Sequence, residues 1–147
     1  MDSTKLEVIK ETLAENPFLS THSLEQRLPW SNVTIFRYIN ELAKNGDKNA
    51  QKWKEIGRLK NSRVFGRALK LYLHVREDGM RIEDVEKMDV YSDILPVLKD
   101  GRYIGRKGIS LCRVQEMTIQ LMRIFEKLGY PSNEQIDYAI KAYGKNL

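Results

Sequence analysis

The sequence predicts a mainly α-helical protein. Apolar residues recur at helical spacing through most of the chain, and Ser, Thr, Asn, Gly and Pro residues stand where such stretches should begin and end. The one β signal is a short hairpin pattern between Gly101 and Gly108.

Thr4 to Glu15 carries Leu6, Val8, Ile9 and Leu13 near one face, with Ser3 or Thr4 as N-cap and Asn16-Pro17 as a stop. Thr21 or Ser23 can cap a second helix holding Leu24 and Leu28, which must end near Pro29 because proline disfavours helical geometry in the residue before it. A third opens after Ser31, runs through Ile35, Ile39 and Leu42, and closes at Gly46, a suitable left-handed terminus. Residues 47–61 are basic, with Trp53, Ile56 and Leu59 as their main apolar content, and read as a partly helical connector. Val64, Phe65, Ala68, Leu69, Leu71, Tyr72 and Val75 mark a fourth helix over 62–77, Ile82, Val85 and Met88 a fifth, and Ile94 to Leu98 a sixth. After the hairpin at 102–107, a long helix is expected from Ser110 to Leu128. Ser132 and Gln135 form a capping-box pattern for a last one, through Ile136, Ala139, Ile140 and Tyr143.

At 147 residues, two domains would each be near the lower limit for an independent core, so packing between halves should matter. With 41% apolar and 31% charged residues the chain should fold as a globular protein. Its apolar runs fall well short of the roughly 20 residues that cross a bilayer, and Met1 to Phe18 lacks the pattern of a signal peptide, so a cytoplasmic, nucleoid-associated location is expected. Cys112 is the only cysteine, which excludes an intramolecular disulfide and a cysteine-rich zinc site; a buried thiol is expected there.

The formal net charge of +5 is unevenly spread. Residues 1–46 are nearly neutral, whereas 47–76 hold Lys48, Lys52, Lys54, Arg58, Lys60, Arg63, Arg67, Lys70 and Arg76 against only Asp47 and Glu55. Residues 77–100 are acidic, and 101–127 are basic again. Such blocks suit a polyanion through phosphate neutralisation and counterion release, unless they are simply solvated helix faces.

The segment from Ser20 to Gly46 contains Leu24 and Leu28, then Ser31, Thr34, Ile35, Arg37, Ile39 and Leu42 in register, and it resembles the helix-turn-helix of winged-helix regulators. The resemblance implies a supporting helix, a tight turn and a recognition helix whose Ser31, Asn32, Thr34 and Arg37 meet phosphate or base edges. It departs from the pattern after Gly46, where a β wing is replaced by Asp-Lys-Asn-Ala-Gln-Lys-Trp-Lys, so this first unit can be wingless. Residues 62–108 look similar to a second copy, with the hairpin as its wing and Arg102, Arg106 and Lys107 as its contacts. The organisation expected is thus a helix-turn-helix unit over 1–46, a basic connector over 47–61, a winged-helix-like unit over 62–108, and C-terminal helices over 109–147.

Of the aromatic residues, Trp30 should pack beneath the helix pair, and Tyr38 is the one expected to face DNA. Lys48, Lys52 and Lys54 should add phosphate contacts without sequence preference. His22 and His74 lack partners at metal-ligand spacing, Gly101 to Gly108 lacks a phosphate-loop signature, and the carboxylates Glu83, Asp84, Glu86 and Asp89 suit a solvated face. Neither catalysis nor a cofactor or metal is therefore expected. The resulting expectation is a sequence-specific double-stranded DNA-binding protein, by analogy a transcription regulator, with a protein-interaction scaffold or an RNA-binding protein as alternatives. A homodimer through 110–143 is also expected, since Leu111, Val114, Met117, Leu121, Ile124, Phe125 and Leu128 make a face wider than a simple seam.

Overall fold

The computed structural model describes residues 1–98 and 110–144. Among them the chain forms nine α-helices, one π-helical turn and no strand: α1 (Ser3–Glu15), α2 (Thr21–Arg27), α3 (Asn32–Lys44), α4 (Lys48–Leu59), α5 (Phe65–Glu77), α6 (Ile82–Glu86), the π turn Val90–Ile94 running into α7 (Leu95–Leu98), α8 (Leu111–Leu128) and α9 (Asn133–Tyr143). The hairpin expected at 102–107 lies outside the described residues.

Short polar side chains set the helix starts. Asp2, rather than Ser3 or Thr4, caps α1, its Oδ1 accepting the Thr4 and Lys5 N–H groups at 2.8 and 3.3 Å. Ser20 caps α2, Ser31 caps α3, Asp47 caps α4 and Ser110 caps α8, each through its own side-chain oxygen. The capping box of Ser132 and Gln135 forms in both directions at 3.1 Å. Between α3 and α4 the chain turns at Gly46, whose φ of +92° is open to glycine and strained for other residues.

Two apolar clusters fill the interior. The first joins Ile9 and Leu13 of α1, Leu19, Leu24 and Leu28, Ile35, Tyr38, Ile39 and Leu42 of α3, and Ala50 and Trp53 of α4. The second is built around α5 and α8, where Leu69, Leu71, Val114, Leu121 and Phe125 are sealed from solvent, with Val85, Ile94 and Ile136 closing it. Phe125 stacks edge-on against Tyr72 at 4.9 Å and Phe18 at 6.2 Å.

The clusters are fused. Segment 47–61, expected to be a partly helical connector, is helical over Lys48–Leu59 and packed: α4 gives Trp53 to the first cluster and Ile56 to the second. Its buried positions are Ala50, Lys52, Trp53 and Ile56, so one side of its stripe is made from a methyl group and a lysine stem. Phe18, although early in the chain, belongs to the second cluster. The α1–α2 loop that carries it is pinned by α9, where Tyr143 Oη donates to the Phe18 carbonyl at 2.7 Å and Gln135 Nε2 to the Glu15 carbonyl at 2.8 Å.

Between residues 65 and 98, α5, α6 and the π turn each pack on α8. The third segment is a π turn followed by a single α turn, because Pro96 has no N–H to return to Ser92 and the ladder shifts to Ile94→Asp89 and Leu95→Val90 bonds. Much of the wide apolar side of α8 packs within the chain: Val114, Met117, Leu121, Phe125 and Leu128 are buried, whereas Leu111 and Ile124 are half-buried. Cys112 is exposed, contrary to the expected buried thiol, because it sits in the first turn of α8 away from this stripe.

Candidate nucleic-acid interface

The site is built from α2, the turn Leu28-Pro29-Trp30-Ser31 and α3. Leu24 and Leu28 are buried under α3, which lays Ile35, Tyr38, Ile39 and Leu42 into the core at the i, i+3, i+4, i+7 spacing of one helix face. Trp30 is half-buried against the same cluster with the Lys5 ammonium 5.6 Å from its ring, as a packing role predicts. Facing outward are Val33, Arg37, Asn40 and Lys44, all exposed and spaced 4-3-4, so they form one stripe along three turns. Val33 is 68% exposed.

The residues singled out from the sequence fall into three groups. Ser31, Asn32 and Arg37 are exposed; Ser31 Oγ accepts the Thr34 N–H at 3.3 Å and lies 3.2 Å from Thr34 Oγ1, so Thr34 is half-buried in the cap rather than free to reach outward. Lys48 and Lys54 are exposed on α4. Gln51 Nε2 donates to the Ala43 carbonyl at 2.9 Å, and Lys54, one turn further, lies on the same side of α4, toward α3.

Two residues are corrected by their burial. Tyr38 is 7% exposed and its Oη accepts the Asp2 N–H at 3.1 Å, because position 38 completes the buried i, i+3, i+4, i+7 set; the exposed aromatic of α3 is Phe36, which rests on Trp53 at 5.6 Å. Lys52 is 5% exposed, with its Nζ 3.2 Å from where a Cβ on Gly129 would stand, so it packs on the end of α8 instead of meeting phosphate. Burial lowers its pKa from the ordinary lysine value. Arg102, Arg106 and Lys107 lie outside the described residues. Val33, Asn40 and Lys44 were missed, although completing the helical register with Tyr38 inside would have turned all three outward.

Among the described residues no group of three His, Cys, Asp or Glu side chains could hold a metal ion, and no helix is long and apolar enough to cross a membrane. His22 is exposed, and His74 Nε2 lies 3.2 Å from Asp78 Oδ2. Glu83, Asp84, Glu86 and Asp89 are exposed. Compared with known proteins, the chain matches no family model, no curated protein and no solved structure.

Proposed function

We propose that this chain binds double-stranded DNA by laying α3 in the major groove, in the manner of a helix-turn-helix regulator. The observation that carries the reading is the stripe Val33, Arg37, Asn40 and Lys44 on a helix whose opposite face is fully packed. These are the side-chain types that complement a groove: guanidinium for guanine edges, carboxamide for adenine, an apolar group for a thymine methyl, and an ammonium for phosphate. Ser31 fixes the entry to α3, and Lys48 and Lys54 add cations beside it. Sequence selection from random duplexes with the purified chain tests the proposal. It should return one preferred motif, and Arg37→Ala should weaken that motif while leaving helicity unchanged; duplex binding unaffected by Arg37→Ala defeats it. Exposure of Val33 and Phe36 side by side favours a protein-docking role as the second reading, and that role shows no salt-sensitive DNA binding at all.

A further inference from the structure

A cleft of about 340 Å³ opens between the C-terminal end of α5, the start of α6 and the last turns of α8. Its floor is apolar, made by Val75, Met80, Ile82 and Met122, and Tyr130 stands at its mouth, 65% exposed. Among the polar groups in it, Arg76 is the better shielded of the two arginines. Its guanidinium is held by a neutral partner, donating to the Pro131 carbonyl. No carboxylate pairs with Arg76 among the described residues. Tyr72, which also lines the cleft, is 3% exposed.

A fixed cation above an apolar floor complements a carboxylate joined to an apolar body. The two methionines let the floor adapt to shape. At the rim, Glu83 is offset by Arg81 at 3.9 Å, whereas Glu126 is exposed and carries no ion pair among the described residues. The Glu126 charge repels any anion, so with Arg76 as the attracting cation the cleft suits at most one carboxylate. We infer that this cleft is a binding site for a small apolar monocarboxylate, anchored by Arg76 over the floor of Met80 and Met122.

Benzoate is the probe, added to the full chain carrying methyl-labelled methionine and followed by NMR. Met80 and Met122 should shift saturably, while Met117, buried in the core, should stay in place. Benzyl alcohol, which keeps the ring and lacks the charge, should bind about tenfold more weakly. Arg76→Gln should bring benzoate down to the alcohol's affinity. Since Arg76 also holds Pro131, Met80→Trp serves as the second variant: it fills the floor without touching Arg76 and should abolish benzoate binding in a chain of unchanged helicity. The inference is overturned by unshifted Met80 and Met122 methyls, by equal affinity for benzyl alcohol, or by Met80→Trp binding benzoate as the parent does.

Discussion

Trp53 Nε1 donates to the Leu19 carbonyl at 2.7 Å, a buried bond that ties α4 to the loop before α2. The same indole supports Phe36 of α3 on one side and has the Lys60 ammonium 5.3 Å from its ring centroid. Together with the Gln51 bond to the Ala43 carbonyl, this side chain fixes how α4 sits against the helix that carries the proposed reading stripe. Trp53→Phe keeps most of the apolar surface and deletes the donor, leaving the Leu19 carbonyl buried without its partner. The expected loss is about 1–3 kcal/mol, read as a lower urea midpoint at unchanged slope.

Two helical glycines should respond oppositely to alanine. At Gly66 a Cβ would stand 2.9 Å from both the Gly144 Cα and the Tyr143 carbonyl oxygen, and these are backbone atoms that cannot swing aside. Gly66→Ala should therefore push α9 off α5 and cost about 1–3 kcal/mol. Gly57 sits inside α4 with nothing within 4 Å of the same added atom. There alanine should stabilise by up to about 1 kcal/mol through helix propensity. Thermal unfolding of both variants checks the pair, and equal shifts would contradict the close approach of α5 and α9.

Lys52 gives a pH-dependent test. Burial lowers its pKa in the folded chain, whereas the unfolded chain titrates near 10.5. Between those values the unfolded chain holds the proton and the folded chain does not, so this residue makes stability rise with pH there. Below the folded pKa both forms are charged and the full cost of burial remains, eased by the α8 C-terminus beside the ammonium. Lys52→Met should thus stabilise the protein at neutral pH by about 1 kcal/mol. The gain should shrink as the pH climbs toward 10.5. Tyr143, raised to about 12 by burial, acts in the opposite direction at high pH but is common to both proteins and cancels in the difference. Denaturant curves of the two chains across this range decide it.

What could be read from the sequence followed the strength of each local signal. The boundaries of α8 and α9 were legible because long apolar stripes meet Ser110 and Ser132 caps, and α3 because Ser31 and Gly46 bracket it. α4 was not, since half of its buried face is Ala50 and the stem of Lys52, which no hydropathy pattern marks as interior. Tyr38 was misplaced for a related reason: a tyrosine fits either side of a helix, and what settles it is the Asp2 N–H offered to its hydroxyl from 36 residues away. The fusion of the two clusters through Phe18, Ile56 and α9 depends on long-range pairings that local pattern does not encode.

The last prediction separates the lysines of α4 by their position on the helix. If α3 lies in the major groove, phosphates flanking it come within reach of cations on the exposed side of α4, and each such contact contributes about 0.9 to the slope of log affinity against log salt. Lys48 and Lys54 are exposed, and Lys54 stands on the side of α4 toward α3, whereas Lys52 points into the α8 end and is withdrawn from any duplex. Joint Lys48→Ala and Lys54→Ala replacement should therefore flatten the slope by about one to two units and weaken all duplexes alike. Lys52→Met should leave the slope unchanged even though it alters stability. Arg37→Ala should behave differently again, costing about 1–3 kcal/mol on the preferred sequence and much less on unrelated DNA. Fluorescence anisotropy over a range of salt concentrations measures all three. A slope that falls with Lys52→Met, or that ignores Lys48 and Lys54, would place the DNA somewhere other than along α3 and α4.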